Sequence, residues 1–163
     1  MNPNHNRARA HQRPGLRRRA ARRWANTLAR LAEAGREHGA DAAAWWQQHV
    51  LGGRAAGEVT ATAARVLAGL DNLQPRVLDT LPAAPAGDAL LEQVYTEHTG
   101  RLASAWSRLR PSQRVAAVDA YRDAYEQALH QQVATYCRQV LDTGPAEQAH
   151  TPTHGGSRRG GAR

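Results

Sequence analysis

The spacing of its apolar residues is the feature that most constrains how this chain folds. The longest regular stretch covers residues 112–142, and its apolar side chains recur at intervals of three or four. They are Val115, Val118, Tyr121, Tyr125, Leu129, Val133, Tyr136 and Val140. That interval matches the turn of an α-helix and places these side chains on one face. No segment shows the strict alternation of a half-buried strand, so we predict an all-α fold, a compact bundle of about five helices.

Residues that cap or break helices divide the apolar pattern of the chain into separate predicted helices. Gly39 and the favourable N-cap Asp41 predict a boundary between a first and a second helix. Gly52 and Gly53 end the second helix, and Pro111 separates the last two because the residue before a proline disfavours the helical conformation. The predicted helices cover residues 16–39, 41–51, 59–70, 88–109 and 112–142, with one or two further turns around Pro75.

The length of the chain suits one domain with a flexible segment at each end. Residues 1–15 form a basic arm and residues 143–163 a tail; both are polar and are predicted to be disordered, which leaves 16–142 as the helical domain. The segment "PAAPAG" (82–87) is the best candidate for an internal boundary. We expect Trp45, Trp46, Trp106 and the apolar face of helix 112–142 to form the core. Adjacent tryptophans on an alanine-rich helix are expected to fill space there, in preference to an exposed base-stacking platform.

Positive charge is concentrated at the beginning of the chain. The formal net charge is +8; residues 1–23 contain eight arginines and no acidic residue, whereas residues 24–142 carry 11 arginines against 13 acidic residues. A merely solvated helix face usually mixes the two signs. Segregated guanidinium groups can follow a phosphate backbone and release its counterions. The predicted nucleic-acid-binding residues are Arg7, Arg9, Arg13, Arg17, Arg18, Arg19, Arg22 and Arg23.

This charge distribution predicts non-enzymatic, predominantly non-specific binding to the backbone of DNA or RNA. No helix-turn-helix, zinc-finger or RNA-recognition pattern is present to read bases. One alternative stays open: the basic arm only solubilises the protein, which then acts as a docking adaptor and pairs helix 112–142 with a partner or with a second copy in a homodimer. An anionic membrane is less favoured as a ligand, because the first helix has a narrow apolar face that the core also needs.

Candidates for catalytic or metal-binding chemistry lie on the last predicted helix, and His98 and Glu97 of the helix before it could in principle complete a metal site. Glu126, His130 and Cys137 are spaced by four and seven residues, but they lack the paired Glu-x-x-His motifs of metal sites in helical bundles. Cys137 also lacks an activating local motif. We therefore predict no catalytic site, no metal and no cofactor. A single cysteine fits a reducing compartment, and no apolar run approaches the roughly 18 residues of a membrane span, so a cytoplasmic location is expected.

Two neighbouring stretches carry a resemblance to known proteins. The stretch "AAAWWQQHVLGGRAAG", followed by "ARVLAGLDNLQPRVLDTLP", covers about 40 residues, from Ala42 to Pro82. It resembles small Ala- and Arg-rich helical proteins of actinomycete genomes, plasmids and phages. In these proteins a Trp-bearing helix and a Gly-Gly-Arg turn precede a Val-Leu-x-Gly helix and a Pro-x-Val-Leu-Asp turn. The family has no assigned activity, so no functional residue carries over; the resemblance implies an accessory protein of a mobile element.

Overall fold

The structure, a computed structural model, describes residues 13–102 and 104–144. Within these ranges the chain forms six α-helices and one π-helical turn, without any β-strand, which confirms the predicted all-α fold. The helices are α1 (Arg13–Trp46), α2 (Ala56–Asp71), α3 (Pro75–Leu78), α4 (Asp88–Thr99), α5 (Ser104–Ser107) and α6 (Pro111–Thr143), and the π-helical turn (Gln47–Leu51) directly follows α1. The segments predicted to be disordered, 1–15 and 143–163, lie outside the described residues except for 13–15 and 143–144.

The two long helices, α1 and α6, pack side by side and run in the same direction. Gly35 of α1 lies against the backbone of Tyr121, and Gly39, one turn later, lies against the backbone of Tyr125. Because four residues forward on one helix match four residues forward on the other, the pair is parallel. A Cβ atom at either glycine would overlap a carbonyl oxygen of α6. The absence of a side chain at these two positions is what allows the helices to touch.

The predicted boundary between a first and a second helix at Gly39 and Asp41 is wrong. α1 continues without interruption to Trp46 and passes directly into the π-helical turn. Gly39 costs the helix about 1 kcal/mol relative to alanine, but the close contact with α6 more than offsets that cost. Asp41 is exposed and lies inside the helix, between one and two turns before its end. The predicted stop is placed correctly, since Gly52 caps the π-helical turn and Gly53 adopts a φ of 74°.

Two groups of buried side chains hold the shorter helices against this pair. The first group joins the second halves of α1 and α6 to α2 and α3, and includes Trp46, Leu129 and Val133, each at most 2% exposed. The second joins the middle of α1 and the first turns of α6 to α4 and α5, and includes Tyr95 and Trp106. Trp46 and Trp106 are therefore core residues, as predicted. The connector 82–87 is non-helical, and the hydroxyl of Tyr125 donates a hydrogen bond of 3.2 Å to the carbonyl of Pro82 at its start.

Trp45 and Val115, which were predicted to point inward, are exposed instead, and so is Leu102 of the predicted helix 88–109. Trp45 is 52% exposed and its ring stacks on His49, with ring centroids 4.5 Å apart. Leu102 is 80% exposed because the predicted helix 88–109 ends at Gly100, which adopts a left-handed φ of 63°. Val115 is 59% exposed, since the buried face of α6 at this level is centred on Ala117. At Trp45 and Val115 tertiary packing buries a different helix face from the one that apolar spacing favours, whereas Leu102 lies beyond the end of its helix.

Candidate nucleic-acid interface

The first turns of α1 project beyond the rest of the molecule. Since Gly35 lies level with Tyr121 and the two helices are parallel, Pro111 at the start of α6 lies level with about Trp24. The part of α1 before that level extends for about 15 Å past the start of α6. Every residue from Gly15 to Arg23 is exposed. We call residues 15–23 the projecting segment.

The expectation that this segment docks an apolar face inward is wrong. Leu16 is 66% exposed and Ala20 is exposed as well. The first buried side chains of α1 are Thr27 and Leu31, at 4% and 2% exposure. The projecting segment therefore contributes almost nothing to the core, and its composition is not explained by packing.

Five of the eight predicted binding residues lie on the projecting segment with their side chains exposed: Arg17, Arg18, Arg19, Arg22 and Arg23. None of them forms a salt bridge with a carboxylate in the described part of the chain, where the one salt bridge joins Arg36 to Glu33. Arg13 lies in the first turn of α1, and Arg7 and Arg9 lie outside the described residues.

This arrangement of charge destabilises the helix that carries it. The positive end of a helix dipole favours acidic residues in the first turn, and α1 has none there. Arg18 and Arg22, like Arg19 and Arg23, are spaced by four residues, a like-charge pairing that costs roughly 0.2–0.5 kcal/mol. The helix N-terminus and the five guanidinium groups thus form one continuous positive field. An external polyanion would relieve every one of these repulsions.

Two adjoining grooves lie beside the projecting segment, and arginines from distant parts of the chain line both. The larger has a volume of about 350 Å³ and the smaller about 200 Å³. They share Arg23 of α1 and Arg101 of the linker between α4 and α5. Arg19 also lines the larger groove and Arg30 the smaller, and none of the described side chains lining either groove is acidic. The positive surface therefore continues from the projecting segment onto the body of the protein.

Arg101 is held in this position by the core. Its Nη1 atom donates a hydrogen bond of 3.2 Å to the hydroxyl oxygen of Tyr95. Tyr95 is completely buried, and its ring lies 5.4 Å from that of Trp106. Sequence reasoning missed Arg101 because it placed the residue inside a continuous helix 88–109. The left-handed turn at Gly100 ends that helix and directs Arg101 towards α1.

Of the other candidate residues, Glu126 and His130 line one cavity of about 530 Å³, whereas Cys137 does not. Glu126 is exposed, whereas Cys137 is completely buried. Among the described residues, no three His, Cys, Asp or Glu side chains lie close enough together to hold a metal ion. Nor does any helix in the described ranges combine the length and apolar character that crossing a bilayer requires.

Cys137 is a protected thiol. Burial raises its pKa from 9.0 to about 11, with a smaller opposing effect of the Arg138 charge. Only the thiolate is nucleophilic, and a pKa raised by two units lowers its population about 100-fold. We therefore expect a disulfide reagent to label the native protein more than about 100-fold more slowly than the denatured protein. Because the folded-state pKa is raised, the protonated thiol contributes stability below pH 9 that is lost as the pH rises towards 11. Rapid stoichiometric labelling of the native protein at pH 8 would contradict this burial.

Comparisons of this chain with protein-family models, with curated proteins and with solved structures found no match. The assignment of a function therefore depends on the geometry of the positive surface alone.

Proposed function

We propose that this protein is a non-enzymatic nucleic-acid-binding protein that contacts the phosphate backbone of DNA or RNA through the arginines of α1. One observation carries the proposal. Arg17, Arg18, Arg19, Arg22 and Arg23 are exposed on a helix that projects from the body, and no carboxylate in the described part of the chain pairs with them. We also propose a cytoplasmic location, where nucleic acid is accessible to such a surface.

The spacing of the arginines suits backbone contacts. From Arg17 to Arg30 the axis of α1 rises about 20 Å, a length over which duplex DNA presents about twelve phosphates. The guanidinium groups are distributed around several sides of the projecting segment, so they can reach both strands bordering a groove. Such contacts position a protein on nucleic acid and carry no sequence information. Binding is therefore predominantly non-specific.

The alternative function, a docking adaptor that uses the residues 112–142, finds less support. The apolar side chains at the centre of α6 are already buried against α1 and α2, with Tyr121, Leu129 and Val133 each at most 2% exposed. A second copy of the chain could pair with these buried side chains of α6 only after α1 or α2 moved away. Nothing in that function would require a projecting helix with five unpaired arginines.

The salt dependence of binding tests the proposal. If about five arginines contact phosphates, the logarithm of the affinity for duplex DNA falls with the logarithm of the salt concentration at a slope near −4.5. Between 50 and 200 mM salt we therefore expect the affinity to drop about 500-fold, measured by fluorescence anisotropy with a labelled mixed-sequence duplex. Affinity that changes less than about fivefold over this range, or the absence of binding at 50 mM salt, would contradict the proposed function.

A further inference from the structure

We infer that the paired grooves beside the projecting segment bind one unpaired nucleotide, with its base in the larger groove and its phosphate in the smaller. This inference rests on the proposed function and adds a preference for single-stranded over double-stranded nucleic acid. The supporting observation is that an apolar floor and a margin of arginine side chains occur together in these two grooves.

The larger groove has an apolar floor. The partly buried Trp24 and Leu109 form it and pack against the core cluster on their inner side, and the exposed Leu16 also lines the groove. The indole is therefore held by the core while part of it remains accessible from the groove. Aromatic side chains of this kind stack on bases without regard to sequence, because every base has a π face. The groove volume of about 350 Å³ lies within the range of small-molecule sites.

The smaller groove supplies the phosphate contacts. Arg23, Arg30 and Arg101 line it, together with the side chain of Asn26. The salt bridges and hydrogen bonds of the described chain leave the guanidinium groups of Arg23 and Arg30 unused, and Arg101 gives only one of its five donors to Tyr95. Since Arg23 and Arg101 line both grooves, a phosphate bound between them lies directly beside the base site.

The position of the Trp24 indole beside the groove arginines favours binding of an unpaired strand. In a duplex, bases are stacked on each other and present only their edges in the grooves, so no base face can reach the Trp24 indole. In a single strand the base can turn outward onto the indole while the neighbouring phosphates follow the projecting segment. The preference for single strands is therefore a consequence of the apolar floor, and the arginines alone would not produce it.

The inference can be tested with the full-length protein, a labelled mixed-sequence single strand of 12 nucleotides and a duplex of the same sequence. We expect the single strand to bind more tightly than the duplex at equal salt. Replacing the indole in Trp24→Leu should weaken single-strand binding about tenfold, because stacking on one aromatic side chain contributes on that order. Trp24→Phe should restore most of the affinity. Trp45→Leu, which changes an exposed tryptophan about 30 Å away along α1, is the matched control and should bind like the wild type.

A second pair of variants tests the phosphate site. Arg101→Gln should lower the salt slope for the single strand by about 0.7, the contribution of one phosphate contact. Arg108→Gln removes an exposed arginine from a neighbouring turn that lines neither groove, and should leave the slope unchanged. Thermal melting of each variant establishes that it is folded, and a folded Trp24→Leu variant that gives the expected loss supports the inference.

Two failures are distinguishable. Equal wild-type affinity for the single strand and the duplex, with folded Trp24→Leu binding as the wild type does, would overturn the nucleotide site and leave the proposed function standing. Failure of the wild type to bind either ligand at low salt would overturn both.

Discussion

Replacing the five arginines of the projecting segment by glutamine is expected to reduce the affinity for duplex DNA on the order of 10³-fold at physiological salt. The variant carries Arg17→Gln, Arg18→Gln, Arg19→Gln, Arg22→Gln and Arg23→Gln. Each lost phosphate contact removes about 0.9 from the salt slope, so the slope should fall by about 4.5. The fold should survive, because every one of these side chains is exposed and lies before the first buried residue of α1.

A matched control separates a local interface from a general effect of net charge. The control uses five exposed arginines of the described surface that lie outside the projecting segment and line neither groove: Arg54, Arg65, Arg76, Arg122 and Arg138. Replacing all five by glutamine removes the same formal charge without touching the projecting segment. The control variant should keep most of the wild-type affinity and nearly the full salt slope. If the two variants lose affinity equally, the arginines of α1 are not an interface and only the total charge of the protein matters.

The local signals in the sequence predicted α2, α3 and α6 to within a few residues, whereas the ends of α1 and α4 were predicted wrongly. Pro111 begins α6 and Pro75 begins α3, because a proline is favoured at the first position of a helix and disrupts the helix interior. Gly52 follows the π-helical turn as the predicted stop. The apolar face of α6 is also correct at its centre, from Tyr121 to Val133. These features depend on residues within a few positions of each other, which is why one sequence suffices to find them.

The glycines of α1 show where such reasoning fails. A glycine in an apolar pattern either ends a helix or allows a second backbone to approach, and the local sequence is the same in both cases. At Gly39 the presence of Asp41 favoured the first interpretation, whereas the contact with Tyr125 makes the second one correct. The spacing of Gly35, Gly39 and Ala43 at four residues each was the available signal. Small residues on every turn mark a helix face that another helix can approach closely.

One part of the candidate site could likewise be predicted from neighbouring residues in the sequence, and the other part could not. The arginines from Arg17 to Arg23 are adjacent in sequence, so their charge could be predicted without any knowledge of the fold. Arg101 and Trp24 could not be assigned to one site from the sequence, since 76 positions separate them. They meet only because α4 ends at Gly100 and because α1 and α6 have a specific register.

The second large effect is expected at the contact between the two long helices. A Cβ atom at Gly35 or Gly39 would overlap backbone carbonyl oxygens of Tyr121 or Tyr125, which cannot move aside as a flexible side chain can. α1 and α6 would have to separate, and the buried side chains on both would lose contacts. Overpacking of this kind costs roughly 1–3 kcal/mol or more per site, against about 1 kcal/mol gained in helix propensity. We expect the double variant Gly35→Ala/Gly39→Ala to be about 3 kcal/mol less stable and to melt roughly 10 °C lower.

Gly57→Ala provides the matched control, because Gly57 is also helical but an added Cβ there meets no atom within 4 Å. That variant should melt at the wild-type temperature or slightly above it, since alanine favours the helix and nothing obstructs it. Chemical denaturation of the three proteins measures both effects, and an unchanged slope with denaturant would show that only stability differs. The double variant should still bind DNA below its melting temperature, because the projecting segment lies outside this contact. If instead Gly35→Ala/Gly39→Ala is as stable as Gly57→Ala, the two helices do not touch through their backbones, and the register that places Trp24 beside Leu109 is wrong.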